Sequence, residues 1–470
     1  MPPPTVAASS IELLAMLSAS ASVSGGALSI HDQRAFRSET IRQLAWTATF
    51  TEDEVVRDSA RWLVWEASLA LGCASASIHE LYMARGRGEI GGFTVPAINL
   101  RTQVFDMAAA TFRAALARDV GAIILELARS EQEYTYQRPG EYLTNVLAGA
   151  IAAGWAAPVF VQGDHYQFNA KKYAADPEGT AEGVRRLARE AVAVGYGNID
   201  IDSSTLVDLS LDTVDDQQRV NYRQAAELTA LIRELEPAGV TISIGGEIGE
   251  VGKENSTEAE LRAYLDGYRA ELDRMVGPDV IGLSKVSVQT GTSHGGVPLP
   301  GGGVAEVKLD FGTLERLSAV SRAYGLAGAV QHGASTLPDE LFHRFPAVET
   351  AEIHLATGFQ NTLYEHPAFP ASLHAEIEAW CGANCAEERK AGESDTQFVY
   401  KTRKKALGPY KRILWELPEK DEIIAAQETK LGFLMEQLKV AGTTVQVARY
   451  LRPQARSRAL PAGLGEASVA

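Results

Sequence analysis

Only nine histidines occur in the 470 residues, and His165, His294, His332 and His354 each fall at or just beyond the end of a short apolar, β-rich run. A hydrogen-bonded structural role is the simplest reading of any one of them. Four at corresponding places along the chain point instead to a shared site. Three neutral imidazoles from separate strands suit Zn²⁺ with one position left open for substrate. His165, His294 and His332 are the predicted set, with another divalent transition metal as the variant. Small residues flank each one (Gly163, Gly295, Gly296 and Gly333). Asp164 precedes the first ligand, and neighbouring side chains of a regular strand face opposite ways. Asp164 and His165 therefore reach one site only where the strand has given way to loop. There the carboxyl would exchange a proton with a substrate hydroxyl. The segment GGEIGEVGKENS presents Glu247, Glu250 and Glu254 in a Gly-containing loop. A solvated mobile loop and a catalytic lid carrying the general base are equal readings of it.

The elements that must hold these residues are repeated βα units. Eight β-rich runs are predicted: Phe93–Asn99, Ala122–Leu127, Pro158–Gln162, Asn198–Asp202, Thr241–Gly245, Val280–Val288, Gly328–Gln331 and Thr350–Leu355. Between them, Pro177–Val194, Gln217–Leu235 and Leu314–Tyr324 carry apolar residues at helical spacing. Eight such units match a (β/α)8 TIM barrel better than an open doubly wound sheet. The α/β barrel is placed at residues 88–375, between helical extensions at 1–87 and 376–451, with a tail without order at 452–470. Chemistry in such a barrel sits at the C-terminal ends of the strands. Asn99, Ser130, Asp164, Asp202, Ser204, Glu247, His332 and His354 are polar there. The run His332-Gly-Ala-Ser335 follows the seventh strand, where backbone N–H groups of these barrels cradle phosphate. Gly301–Gly303 has neither the Walker nor the dinucleotide spacing and reads as a turn.

Composition narrows the function classes. With 44 Lys and Arg against 60 Asp and Glu, the net charge is −16 and is spread along the chain, so nucleic acid is a poor partner. No apolar run is long enough to span a bilayer, and no basic flank precedes an apolar N-terminal stretch, so no membrane or secretory role is expected. Three cysteines allow at most one disulfide, and the cytoplasm is the expected compartment. Cys381 and Cys385 read as buried thiols. The basic run Lys401, Arg403, Lys404, Lys405, Lys411 and Arg412 reads first as a solvated helix face. An anion-binding lid or a partner contact is the sharper alternative.

In order, FTVPAIN with Asn99, QGDH, NIDIDSS, GGEIGEVG, TGTSHGG and QHGAS resemble motifs of the class II, metal-dependent fructose-bisphosphate and tagatose-bisphosphate aldolase family, over about residues 90–365. The resemblance implies zinc on His165, His294 and His332 with Glu247 near the metal. It implies that Asp164 protonates the aldehyde oxygen in condensation, and that Glu254 removes a proton from the enediol precursor. Gly295, Gly333 and Ser335 would hold the phosphate of dihydroxyacetone phosphate and a nearby monovalent cation. Asn99, Ser130, His354 and Thr357 complete the expected substrate contacts. The implied protein is a homo-oligomeric lyase of carbohydrate metabolism, glycolysis included, acting on a ketose phosphate or bisphosphate through a zinc-stabilised enediolate. Three departures stand out. Gln162 replaces the His before the Asp-His pair. Val297 and Pro298 stand where a Lys often follows the second zinc His. The Asn-x-Asp-Thr phosphate segment reads His354-Leu-Ala356-Thr357. These keep open a C4 epimerase of a ketose or keto-acid sugar acting by retro-aldol cleavage and re-addition, and a non-catalytic companion subunit of an aldolase.

Overall fold

The computed structural model describes residues 4–249, 254–291, 309–334 and 337–467. Eight parallel strands close into a barrel: β1 (Val95–Asn99), β2 (Ile124–Ala128), β3 (Val159–Gln167), β4 (Asn198–Asp202), β5 (Ser243–Glu247), β6 (Lys285–Val288), β7 (Ala329–Gln331) and β8 (Glu352–Leu355). Each pairs with the next, and β8 returns to β1 with His354 opposite Ala97. The eight predicted runs are the eight strands. Buried β-branched and aliphatic residues dominate them, as expected for strands covered on both faces. Among the exceptions, Glu126, Asp200, Lys285 and Glu352 are charged and buried within strands.

Helices on the outer face carry their own start signals. Pro177–Val194 begins with Pro after Asp176, whose carboxylate accepts from Gly179 N–H, and stops at Gly195 with φ 98°. Val214–Leu235 and Phe311–Ala323 start a few residues earlier than their apolar spacing suggests. The reason is local: Thr213 and Asp310 cap them, accepting from Asp216 N–H and Thr313 N–H.

The N-terminal extension differs from the all-helical expectation. Ala21–Ser24 and Ala27–Ile30 form an antiparallel hairpin, and Ser75–Ala76 runs parallel to the start of β3, Ser75 opposite Val159. The hairpin strands are short and half exposed, so neither has the apolar run that marks a strand in sequence. Helices Ile41–Phe50 and Glu54–Ala70 lie against the barrel helix Pro139–Ala153 and share its core. The end of the chain is also not as expected from composition. Residues 452–467 follow the barrel and the N-terminal helices: Trp62 and Trp65 indole N–H groups donate to the Arg458 and Arg456 carbonyls, at 3.0 and 2.7 Å. The Arg458 guanidinium stacks 3.5 Å over the Trp65 ring. Two indole donors and a cation–π contact fix a segment that has little apolar content of its own. Among the described residues no helix is long and apolar enough to cross a membrane.

Candidate active site

Asp164 and His165 both face the barrel interior, by a route other than the expected loop. β3 does not end before them; it runs on to Gln167 and bulges. Gly163 pairs with Ile199 but Tyr166 pairs with Ile201, so one extra residue is accommodated on β3. His165 takes it up with φ 40°, left-handed backbone that a non-glycine residue seldom adopts. Consecutive side chains therefore both point to one site. Gly163 is part of the device: a Cβ there would lie 2.4 Å from the Tyr166 ring. Its smallness makes room for Tyr166 rather than for a ligand.

Around the bulge the strand ends converge. His165 Nδ1 lies 2.9 Å from Asp202 Oδ2 and 3.0 Å from Glu247 Oε2. The His332 ring centroid is 4.2 Å from that of His165 and 4.1 Å from that of His354. Asp164 Oδ1 is 3.6 Å from His332 Nε2 and 3.3 Å from His354 Nδ1. His354 also meets Glu126 at 3.1 Å and Glu352 at 2.7 Å. Beneath, Lys285 Nζ bonds Glu352 (2.5 Å), Gln162 (2.7 Å) and Asp200 (3.0 Å). Tyr82 donates to the other Glu352 oxygen. Gly245 clears the path, since a Cβ there would sit 2.3 Å from Asp200 Oδ1 and 2.9 Å from Lys285 Cε.

The charges explain the protonation states. Burial raises the Glu247 carboxyl, with Asp202 adding, to about 7. Burial and Asp164 likewise carry Glu126 to about 7. Burial disfavours a charged His354, but Glu126, Asp164 and Glu352 together outweigh it and hold the imidazole protonated well above its usual range. His332 goes the other way, lowered by burial and then by the positive charge at His354 and His165. Asp164 is held well below the carboxylate range, its burial overcome by the three imidazoles.

The residues present fit a divalent cation. Asp164, His165 and His332 offer ligand atoms within 4.8 Å of one another, as do His165, Asp202 and Glu247. Six buried or nearly buried carboxylates (Glu126, Asp164, Asp200, Asp202, Glu247 and Glu352) face one ammonium, Lys285, and three imidazoles. A buried excess of negative charge is what a bound cation compensates, and the nitrogen and oxygen donors suit zinc.

Of the predicted residues, Asn99, Ser130, Asp164, His165, His332, Gly333, His354 and Thr357 line one cavity of about 290 Å³ at the C-terminal mouth of the barrel. Glu247 reaches the same cluster through His165 and His332. Asn99 is buried and its amide donates to Glu131 Oε2 at 2.5 Å. Glu254 is exposed and does not line the cavity. His294, Gly295, Gly296, Ser335, Glu250, Val297, Pro298 and Gly301–Gly303 lie outside the described residues. Sequence reasoning passed over Glu126 and Asp200, which sit mid-strand, and Lys285 and Glu352, which open their strands, none of them at the C-terminal ends where chemistry was sought. The signal was there: a charged residue within an apolar run of a barrel must find a partner if it is buried. It also passed over Arg101, in the loop after β1, and Glu131 and Tyr134, on the short helix Arg129–Tyr134 after β2, which line the cavity with Lys404.

A closed parallel barrel with convergent imidazoles and carboxylates at its C-terminal mouth defines a (β/α)8 barrel of the type that carries out its chemistry at that mouth. Residues 86–406 match the family described as fructose-bisphosphate aldolase class-II. The match spans more than half of the chain, and the protein belongs to that family. No curated protein sequence matches the chain. Among solved structures, a probable tagatose 6 phosphate kinase from Sinorhizobium meliloti 1021 is similar at 17% identity and TM-score 0.51, covering 80% of this chain and 97% of its own. A fructuronate-tagaturonate epimerase from Cohnella laeviribosi is similar at 12% identity and TM-score 0.51, covering 74% and 82%. These two likenesses speak to the shared fold.

Proposed function

We propose that the protein is a metal-dependent aldolase that breaks or forms a carbon–carbon bond in a ketose phosphate or bisphosphate. The observation that carries this reading is the meeting of Asp164, His165, His332 and Glu247 at one mouth of a class II aldolase barrel. His165 and His332, with His294 as third ligand and Glu247 beside them, would hold the zinc. When bound, zinc supplies Lewis acidity that draws charge from the ketose carbonyl and its neighbouring hydroxyl, so no Schiff-base lysine is needed. Lys285 fits that division of labour: it is bonded to Asp200 and Glu352 and held protonated, a poor nucleophile. Asp164, free of the strand wall because of the bulge, exchanges the proton of the hydroxyl on the carbon being cleaved. Asp202 accepts from His165 Nδ1 and fixes that ring's orientation. Glu254 is assigned the second proton transfer on the family pattern.

The test is a coupled assay of zinc-reconstituted protein against a panel of phosphorylated and unphosphorylated ketoses. Release of free triose phosphate is expected. A second reading, C4 epimerisation by cleavage and re-addition, is favoured by one observation. Where the family's phosphate segment would stand, His354 is an imidazole held protonated among carboxylates, an additional proton carrier in the same cavity. Full conversion to an epimer with no triose trapped would select it. Less than a tenth of an equivalent of metal after reconstitution would instead select the companion-subunit reading.

A further inference from the structure

Away from the barrel's mouth, a second cavity of about 320 Å³ lies where three parts of the chain meet. They are the N-terminal helix Glu54–Ala70, the barrel helix Pro139–Ala153 and the terminal residues 458–461. That volume is enough for a small metabolite. Two guanidinium groups line it, Arg61 from the first helix and Arg458 from the terminal segment, together with one carboxylate, Asp58. Much of the remaining wall is apolar, Trp62, Leu143 and Leu147 included. Both cations lie outside residues 86–406, the part that matches the aldolase family, so the cavity is a product of this chain's extensions.

Neither guanidinium is compensated. Arg61 is half-buried and makes no hydrogen bond or ion pair among the described residues, and its Nε is shut off from solvent without an acceptor. It packs over the first turn of the barrel helix, where no side chain caps the N–H groups: a Cβ at Gly140 would lie 3.0 Å from Arg61 Nη1 and 3.6 Å from Val194 Cγ1. A cation at the positive end of a helix is in the wrong place. Burial holds Arg61 below its ordinary value, and the strongest opposing charge, Glu141, is already bonded to Lys411. Arg458 sits on the other side of Val194. Its guanidinium stacks on Trp65 and donates to the Val194 carbonyl at 2.5 Å, while its backbone N–H donates to Glu66 at 2.7 Å. It forms no ion pair among the described residues, and burial takes it down to about 10. A desolvated charge without a partner is costly unless an opposite charge joins it. Two guanidinium groups less one carboxylate leave a single positive charge, which a monoanion balances and a dianion exceeds.

We propose that this cavity is a binding site for a small monocarboxylate with an apolar body, its carboxylate held by Arg61 with Arg458 as the second cation, and its body against Trp62, Leu143 and Leu147. The site is separate from the catalytic cavity and does not depend on the reaction carried out there. A ligand in it would touch the N-terminal extension, the barrel and the terminal segment at once, and binding only the folded chain it would stabilise their union.

The experiment titrates the full-length, zinc-reconstituted protein calorimetrically with benzoate and, separately, with inorganic phosphate. Saturable binding of benzoate is expected, tighter than that of phosphate. Loss of a charge-assisted hydrogen bond in a partly buried site corresponds to about ten- to hundredfold weaker binding, and Arg61→Met is expected to show that loss for benzoate. Arg219→Met removes the same charge from an exposed pair with Asp215 on another helix and should bind benzoate as the wild type does. Wild-type affinity in a folded Arg61→Met protein, or an equal loss in Arg219→Met, overturns the site. Phosphate bound more tightly than benzoate, or no saturable benzoate binding by the wild type, overturns the ligand class. Should Arg61→Met not fold, Asp58→Asn decides, because Asp58 is exposed. Removing its repulsion should tighten benzoate binding by about two- to fivefold, the range of an exposed charge interaction, and unchanged affinity overturns the site.

Discussion

Replacing Lys285 by Met tests whether the floor of the site is held together by charge. Lys285 is 1% exposed and Glu352 is 0% exposed, and the ammonium bonds Glu352, Gln162 and Asp200 at 2.5, 2.7 and 3.0 Å. Met fills the space of the stem and donates nothing. Removing one partner of a buried pair leaves a charge uncompensated, which costs about 3–5 kcal/mol, against a typical total stability of about 5–15 kcal/mol. The pH dependence follows from Glu352. In the wild type its burial is outweighed by Lys285 and His354, which hold it below the ordinary carboxylate range. That stabilisation is fully present above the unfolded value, about 4.3, and disappears as pH falls through the lower folded value. Without the ammonium the carboxyl shifts upward, so folding of the variant takes up a proton. Its deficit is then largest at pH 7 and shrinks as pH falls toward the unfolded value. Urea unfolding of both proteins, stripped of metal by chelator, at pH 7 and at pH 5 measures this. A deficit under about 1 kcal/mol at pH 7, the range of an exposed ion pair, or one unchanged between the two pH values, refutes the reasoning.

Other outcomes follow from the same geometry. His294→Ala and His332→Ala should each lose zinc, because two remaining imidazoles do not hold it against water and chelator; full metal content by elemental analysis in either variant removes that residue from the ligand set. Asp164→Asn should keep its metal while turnover drops by about two to four orders of magnitude, and unchanged kcat takes Asp164 out of the chemistry. Gly163→Ala places a Cβ 2.4 Å from the Tyr166 ring and should destabilise by about 1–3 kcal/mol through overpacking, with part of the loss recovered when Tyr166→Leu is added. If the double variant is no more stable than the single, the ring contact is not the reason for the glycine.

The sequence by itself determined the barrel, because eight apolar runs alternating with amphipathic helices have few other ways to bury both faces of a parallel sheet. It also determined which strand ends carry imidazole and carboxyl groups, and the order of motifs fixed the family. The turn-length details of helix starts were partly legible, through Asp176 and Pro177 and through the caps at Thr213 and Asp310. Spacing along one strand did not reveal how Asp164 and His165 share a site, because that depends on an extra residue in β3 measured against its partner β4. Nor did it reveal the net of Glu126, Asp200, Lys285 and Glu352, whose members lie far apart in the chain and meet only when the barrel closes. The same holds for Lys404, indistinguishable by sequence from its basic neighbours. Tertiary structure separated them, since each of the others found a carboxylate within reach and Lys404 was left facing the cavity. Local pattern records which groups a segment offers; only the packing of distant segments decides which charges are compensated.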